Sequence, residues 1–262
     1  MNTCVFVTVS NGIAELQLNR PEKRNAFDAE MIQLLNTHLS KLATDDSIRV
    51  LVLSAEGRCF SSGADLNWMK RMARFSHKEN IEDAQNLSQL MRLLYEFPHP
   101  TIALVQGAAF GGALGLISCC DIALALNDTS FCFSETRLGI MPAVIAPYVI
   151  EAIGLRKTKH LFLTALPFDA AEARSIGLIT ESFNNQEEME FRKNKLINSI
   201  LTNSPQALQK TKYLLQDIAE KPLDEETRQI TIEAIAKIRV SPEGQEGLQA
   251  FLEKRAPSWS NK

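Results

Sequence analysis

The sequence has no surplus of charge of either sign: 28 Lys and Arg face 31 Asp and Glu, a net charge of −3 with a pI near 5.9. With no basic block anywhere, it lacks the electrostatic footprint of a nucleic-acid or anionic-membrane binder. No apolar run reaches the roughly 18 residues that a membrane span needs, and the start, Met1-Asn-Thr-Cys-Val-Phe, has no charged segment leading into an apolar one. The expectation is a soluble, cytoplasmic protein with no membrane or nucleic-acid partner. The cysteines, at 4, 59, 119, 120 and 132, are odd in number, which speaks for reduced thiols over a disulfide framework. No second Cys or His pair stands at metal-ligand spacing from Cys119-Cys120, so no metal site is expected. His38, His77, His99 and His160 are scattered, with no Ser-His-Asp or Cys-His motif around them. Repeats and low-complexity segments are also missing.

What the 262 residues do offer is material for one large α/β domain with a helical appendage. Asn11-Gly12 between apolar segments at 4–9 and 13–18 predicts an opening hairpin with a type I′ turn. A polar loop from Asn19 to Asn25 leads to a helix capped by Asp28 and running to about Ala43, with Met31, Leu34, Leu35, Leu39 and Leu42 on one face. Val50–Leu53 reads as a buried strand. Asp65 suits the cap of a helix from Leu66, and 68–97 is helical with a polar break at 76–80. Residues 143–153 and 156–164 are predicted helices on either side of Gly154. Asp169 with Glu172 predicts a capping box. Beyond Ile179 and a short strand come only helical patterns from 186 to 252, broken near Pro205, Pro222 and Pro242, with a loose end at 256–262. The expected division is a core domain at 1–195 and a C-terminal helical region at 196–262.

The chemistry concentrates between Pro100 and Pro142. The β-branched run Thr101–Val105 suits a buried strand that breaks at Gly107 into a segment with Gly111, Gly112 and Gly115. The small apolar residues Ala113–Cys120 suit a buried helix, which puts Gly112 at its N-terminus. Free amides at such an end stabilise an oxygen that gains negative charge. A second strand returns at 121–126, and Glu135 follows a short strand at 130–133. The second small-residue loop, Ser61-Ser62-Gly63-Ala64, lets a ligand approach the main chain.

Five motifs in this order resemble the crotonase family, the enoyl-CoA hydratases and isomerases, over nearly the whole chain. They are Asn19-Arg-Pro-Glu-Lys-Arg-Asn-Ala26, Cys59-Phe-Ser-Ser-Gly-Ala-Asp-Leu66, Gln106-Gly-Ala-Ala-Phe-Gly-Gly112, Cys120-Asp121 and Phe133-Ser-Glu-Thr-Arg-Leu-Gly139. The resemblance implies a crotonase-type ββα spiral core with a C-terminal α-helical trimerisation region, assembled as a homotrimer or a dimer of trimers. It implies an acyl-CoA thioester substrate, with coenzyme A as part of the substrate and no separate cofactor. It makes Ala64 and Gly112 the two main-chain donors to the thioester oxygen. Arg24, Ser62, Asp65, Leu66 and Gly111 become substrate contacts, mostly through backbone. Arg24 is the side-chain candidate for phosphate, Lys254 another, and the basic segment Met69–Arg74 a wall of the acyl pocket.

General hydratases of the family carry two glutamates. Glu135 matches the second; Gly115 stands where the first is expected. The implied acid/base is therefore Glu135 alone, and burial would raise its pKa. A missing carboxylate at 115 is expected to free volume and remove negative charge, favouring a branched acyl group with its own carboxylate. Arg137 is the candidate partner of that carboxylate, because a guanidinium offers a fork of donors. These departures, with Pro142-Ala-Val, resemble the bacterial hydratases of 3-methylglutaconyl-CoA and isohexenylglutaconyl-CoA. The alternatives are a Δ3,Δ2-enoyl-CoA isomerase using one glutamate, and an acyl-CoA-binding paralogue without turnover.

Overall fold

A computed structural model describes residues 3–261. β1 (Val5–Ser10) and β2 (Ile13–Leu18) pair antiparallel, with Asn11 and Gly12 at φ 49° and 77°, the backbone that a type I′ turn demands. Asp28 accepts the Met31 N–H and starts α1 (Ala29–Leu42), which leads to β3 (Val50–Ala55). Asp65 caps the short α2 (Leu66–Met72), and Ser76 and Glu79 exchange bonds in a capping box at the start of α3 (His77–Tyr95). The glycine-rich stretch folds as β4 (Thr101–Val105), β5 (Ala108–Phe110), α4 (Gly112–Cys119), β6 (Ile122–Leu126) and β7 (Ser130–Cys132). α5 (Ala146–Thr164) is bent at Gly154, whose φ of 76° interrupts the helix where the sequence predicts a break.

After it come β8 (Phe168–Asp169), α6 (Ala170–Ser175) and β9 (Glu181–Phe183). The capping box expected at Asp169 is half formed: its carboxylate accepts the Glu172 N–H at 2.8 Å, and no return bond from the Glu172 side chain occurs among the described residues. The tail is α7 (Gln186–Leu201), α8 (Pro205–Ile218), α9 (Glu225–Arg239) and α10 (Pro242–Leu252). The last residues are more ordered than the sequence suggests. Ser258–Asn261 form a 3-10 turn, and the Trp259 indole donates to the Thr202 carbonyl at 3.2 Å; Lys262, Met1 and Asn2 lie outside the described residues. No helix among those described is long and apolar enough to cross a membrane, and their cysteines are free thiols.

Two sheets share the strands in a repeating order. One runs β1-β2-β3-β4-β6-β9, parallel except for the opening hairpin; the other is β5-β7-β8. The chain visits the large sheet, then the small one, then a helix: β4, β5, α4, and again β6, β7, α5. β3 begins the same turn, since Ser61 pairs with Ala109 on the edge of the small sheet before α2 starts. Three turns of a ββα spiral result. Between β4 and β5 the chain passes so close to the preceding turn that a Cβ at Gly107 would lie 1.8 Å from the Arg58 carbonyl oxygen.

Strand alternation divides the core. Leu51, Leu53, Ala103 and Val105 face α1, α3, α4 and α5, while Val50, Val52, Ile102, Leu104 and Leu124 face Met189, Ile197 and Ile200 of α7. The boundary drawn from sequence at 195/196 therefore falls inside a helix that covers the sheet; the break in the chain comes at Thr202–Ser204. α8 is tied to the core by Lys212, 8% exposed, whose ammonium lies 2.8 Å from the Asp121 carboxylate. The same Asp121 oxygen accepts the Thr101 N–H and hydroxyl at the start of β4. Lys212→Ala removes a charge-assisted bond from a half-sheltered carboxylate and is expected to cost about 1–3 kcal/mol in a denaturant titration. A loss indistinguishable from zero would mean that α8 is held by its other contacts, among them the Gln216 side chain on the Tyr95 carbonyl.

Candidate active site

The small sheet sets the site. Ser61 pairs with Ala109, and Ala109 with Phe131, so three parallel segments lie side by side in fixed register. Carried three residues onward, that register sets Ala64 level with Gly112 and Ser134, and Glu135 is the next residue. The two loop amides and the carboxylate thus follow the C-terminal ends of neighbouring parallel segments, where strand-to-helix crossings leave main-chain groups free.

Ala64 is held by what surrounds it. The Phe27 N–H donates to the Gly63 carbonyl and its own carbonyl accepts the Asp65 N–H, both at 2.7 Å, so Ala64 is bracketed and its N–H points away from Phe27. Among the described residues no hydrogen bond uses that N–H, and Ala64 is exposed. The Phe27 ring meanwhile lies 3.8 Å from where a Gly112 Cβ would be, joining the two loops. Gly112 is the first residue of α4, and its N–H has no carbonyl one turn earlier to receive it. Two unpaired amides, one backed by a helix dipole, form a ready cradle for an oxygen gaining negative charge.

Glu135 opens a 3-10 turn, Glu135–Leu138, directly after β7. The Gly111 N–H donates to the Cys132 carbonyl at 2.9 Å, fixing the α4 entrance against this strand. Gly111 has φ 56°, and a Cβ there would stand 3.2 Å from Glu135 Oε1; its missing side chain lets the carboxylate lie against the backbone beside Gly112. Glu135 Oε2 is buried and has no hydrogen-bond partner. Burial pushes the Glu135 pKa above the usual carboxylate range, against a smaller opposing effect of its own backbone. A shift in this direction makes the carboxyl group easier to use as both proton donor and proton acceptor.

Asp65 plays a different part from the substrate contact expected of it. Its Oδ1 caps α2 through the Asn67 and Trp68 N–H groups, and its Oδ2 lies 3.2 Å from Arg20 and 3.4 Å from Lys23. Its N–H goes to Phe27 and its carbonyl to Met69. Every polar group is committed inside the protein. Burial favours its neutral form, but the two N–H bonds and Lys23 outweigh that and hold its pKa low.

The second correction concerns Gly115. A Cβ on it would fall 2.2 Å from Ile145 Cγ2, 2.9 Å from Ile145 Cβ and 3.0 Å from Met91 Sδ. The volume that an absent side chain was expected to release is filled, by residues 2% and 0% exposed, so Gly115 does not open the acyl pocket.

The remaining candidates lie at the rim. Arg24 is exposed and in the left-handed region at φ 51°; its carbonyl accepts the Ser62 N–H. Ser62 is half-buried and Leu66 is 74% exposed. Arg24, Lys70, Arg71, Arg74 and Arg137 are exposed and make no ion pair among the described residues. A cavity of about 620 Å³ at the other end of α4 is lined by groups already paired, Lys212 with Asp121 and Tyr95 with Glu151.

Sequence reasoning missed the frame around these loops. The segment 19–25 reads as a polar loop, yet Asn25 is wholly buried, its side chain bonding the Arg20 N–H and the Glu56 and Cys59 carbonyls. Arg20 bridges Asp28 and Asp65. The available signal was density: two arginines, a proline and two asparagines within seven residues, more than a solvated loop needs.

Fold and site together define an enzyme that works on the carbonyl of an acyl group, and residues 8–262 match the family model described as enoyl-CoA hydratase/isomerase. The chain belongs to that family. It is 32% identical over 263 residues to the 2,3-dehydroadipyl-CoA hydratase of Escherichia coli, covering 98% of this chain and 99% of that protein. Among solved structures it resembles an enoyl-CoA hydratase from Shewanella pealeana, with a TM-score of 0.95, 45% identity and coverage of 98% and 96% of the two chains. AtuE of Pseudomonas aeruginosa superposes with a TM-score of 0.93 at 32% identity, covering 98% of this chain and 99% of its own. The crotonase-type α/β spiral expected from the motifs is thus the fold of the molecule.

Proposed function

We propose that this chain adds water across the double bond of a branched, carboxylated enoyl-CoA such as 3-methylglutaconyl-CoA. The thioester oxygen rests on the Ala64 and Gly112 amides, and Glu135 holds the water and passes the proton to the α-carbon. The observation that carries this reading is the orphaned Glu135 Oε2. A buried carboxylate without a partner is costly to keep, and it lies beside an amide that is itself unpaired. Arg24, Ser62 and Leu66 edge the loop along which the coenzyme A portion runs, mostly against main chain. The distal carboxylate of the acyl group meets Arg137, which makes no ion pair among the described residues and stands two residues from the acid. An E. coli relative named for hydrating 2,3-dehydroadipyl-CoA lends weight to an acyl group with a second carboxylate. The exposed Leu223, Val240, Phe251 and Leu252 of the tail suit contacts in a homotrimer or a dimer of trimers.

Arg137→Met is expected to raise KM about tenfold or more for enoyl thioesters ending in a carboxylate, the loss of one charge-assisted bond, and to leave straight uncharged chains unchanged. A uniform rise across the panel would remove Arg137 from this role. The second reading is a Δ3,Δ2-enoyl-CoA isomerase, favoured by the single carboxylate at the Gly112 amide. Mass separates them: hydration adds one water to the product, whereas isomerisation leaves the mass unchanged.

A further inference from the structure

The closed space at Gly115 has a consequence for the chemistry. Gly112 and Gly115 are three residues apart, on the same side of α4 and one turn from each other. Any side chain at 115 would therefore extend alongside the helix end that carries the free amide. That position is sealed: Ile145 presses Cγ2 and Cβ into it from the start of α5, and Met91 closes it from α3. Both are buried among core residues, and neither borders open solvent. Ile145 is the N-cap of α5, with φ −86° and ψ −16°, and its carbonyl accepts the Val149 N–H, which ties its backbone to the first turn of that helix.

We propose that Ile145 is a positioning residue that fixes the site as a one-carboxylate site. By occupying the place of a side chain at 115, it leaves Glu135 as the sole group able to exchange a proton beside the Gly112 amide. Residues 115 and 145 then form a coupled pair: 115 has no side chain because 145 is large. This rests on the reading that Glu135 works on an acyl thioester.

A swap of the two sizes tests it. Gly115→Ala must push α4 away from α5, which is expected to lower Tm and, by displacing the Gly112 amide, to cut kcat roughly tenfold to a hundredfold with KM little changed. Ile145→Gly alone opens a cavity and also lowers Tm. The double variant, in which both clashing Ile145 atoms are gone and glycine is tolerated at an N-cap, is expected to regain most of both losses. Simple addition of the two Tm losses, or Gly115→Ala as stable and active as the parent, would overturn the coupling.

The chemical half is read from pH profiles. In the parent, kcat is expected to follow one ionisation. Gly115→Glu on the Ile145→Gly background places a second carboxylate by the amide, and the profile is expected to become two-limbed. A profile unchanged by that carboxylate, or already two-limbed in the parent, overturns the proposal. Failure of the underlying functional reading looks different: no enoyl-CoA is turned over by the parent, while the Tm cycle still shows coupling.

Discussion

Glu135→Gln is expected to lower kcat by at least about a hundredfold while leaving coenzyme A thioester binding intact, measured by steady-state turnover and by titration of a non-reacting acyl-CoA. The amide keeps the size and shape of the carboxylate but cannot carry the proton. The same variant carries a stability signature whose sign follows from the direction of the pKa shift. Burial raises the folded-state pKa of Glu135 above its ordinary 4.5. The folded protein therefore holds this proton more tightly than the unfolded chain. Its contribution to stability is complete below that ordinary value and is lost as pH rises through the folded-state pKa. A neutral glutamine escapes the loss, so Glu135→Gln is expected to melt higher than the parent at neutral and alkaline pH, with the difference shrinking as pH falls toward 4.5. A protein that gains stability where it loses turnover is storing strain at a working group. Equal Tm across the pH range would mean that the carboxylate is better solvated than its buried Oε2 implies.

Ala64→Pro is the second variant with a large expected effect, because it deletes one hydrogen-bond donor and sets a ring methylene where that N–H pointed. The Phe27 bridge uses the Gly63 carbonyl and the Asp65 N–H, and neither is lost when residue 64 gives up its own N–H. Proline is accepted in extended edge segments whose N–H faces outward. Loss of one of two preorganised donors to a developing oxyanion, with the ring in the oxygen's way, is expected to reduce kcat/KM by roughly a hundredfold to a thousandfold or more. The α2 cap at Asp65 should survive, which an unchanged circular dichroism spectrum and Tm would establish. Full activity in a folded Ala64→Pro protein would place the thioester oxygen elsewhere.

Local chemistry was readable from the chain, and long-range closure was not. The hairpin at Asn11-Gly12, the caps at Asp28 and Asp65, the kink at Gly154 and the tail breaks before Pro205 and Pro242 each depend on residues a few positions apart, and each is present. The positions of Glu135 and Gly112, after a strand and at a helix start, were legible for the same reason, while the roles given to them came from the resemblance to the crotonase family. The alternation of strands between two sheets was not, because pairing Ser61 with Ala109 and Ala109 with Phe131 joins segments tens of residues apart.

The two errors about the site share that origin. Asp65 looked available to substrate because its partners, Arg20 and Lys23, lie more than forty positions earlier. Gly115 looked like an opening because Met91 and Ile145, which fill it, come from different helices. An absent side chain in a sequence signals space only if the fold leaves it empty, and close-packed interiors seldom do.

The most direct measurement is a crystal structure of the Glu135→Gln protein with a bound enoyl-CoA thioester. The thioester oxygen should lie about 2.7–3.1 Å from both the Ala64 and Gly112 nitrogens, with the α-carbon next to the residue 135 side chain. An oxygen bound away from those two amides, or an acyl chain whose α-carbon is out of reach of residue 135, would contradict the assignment.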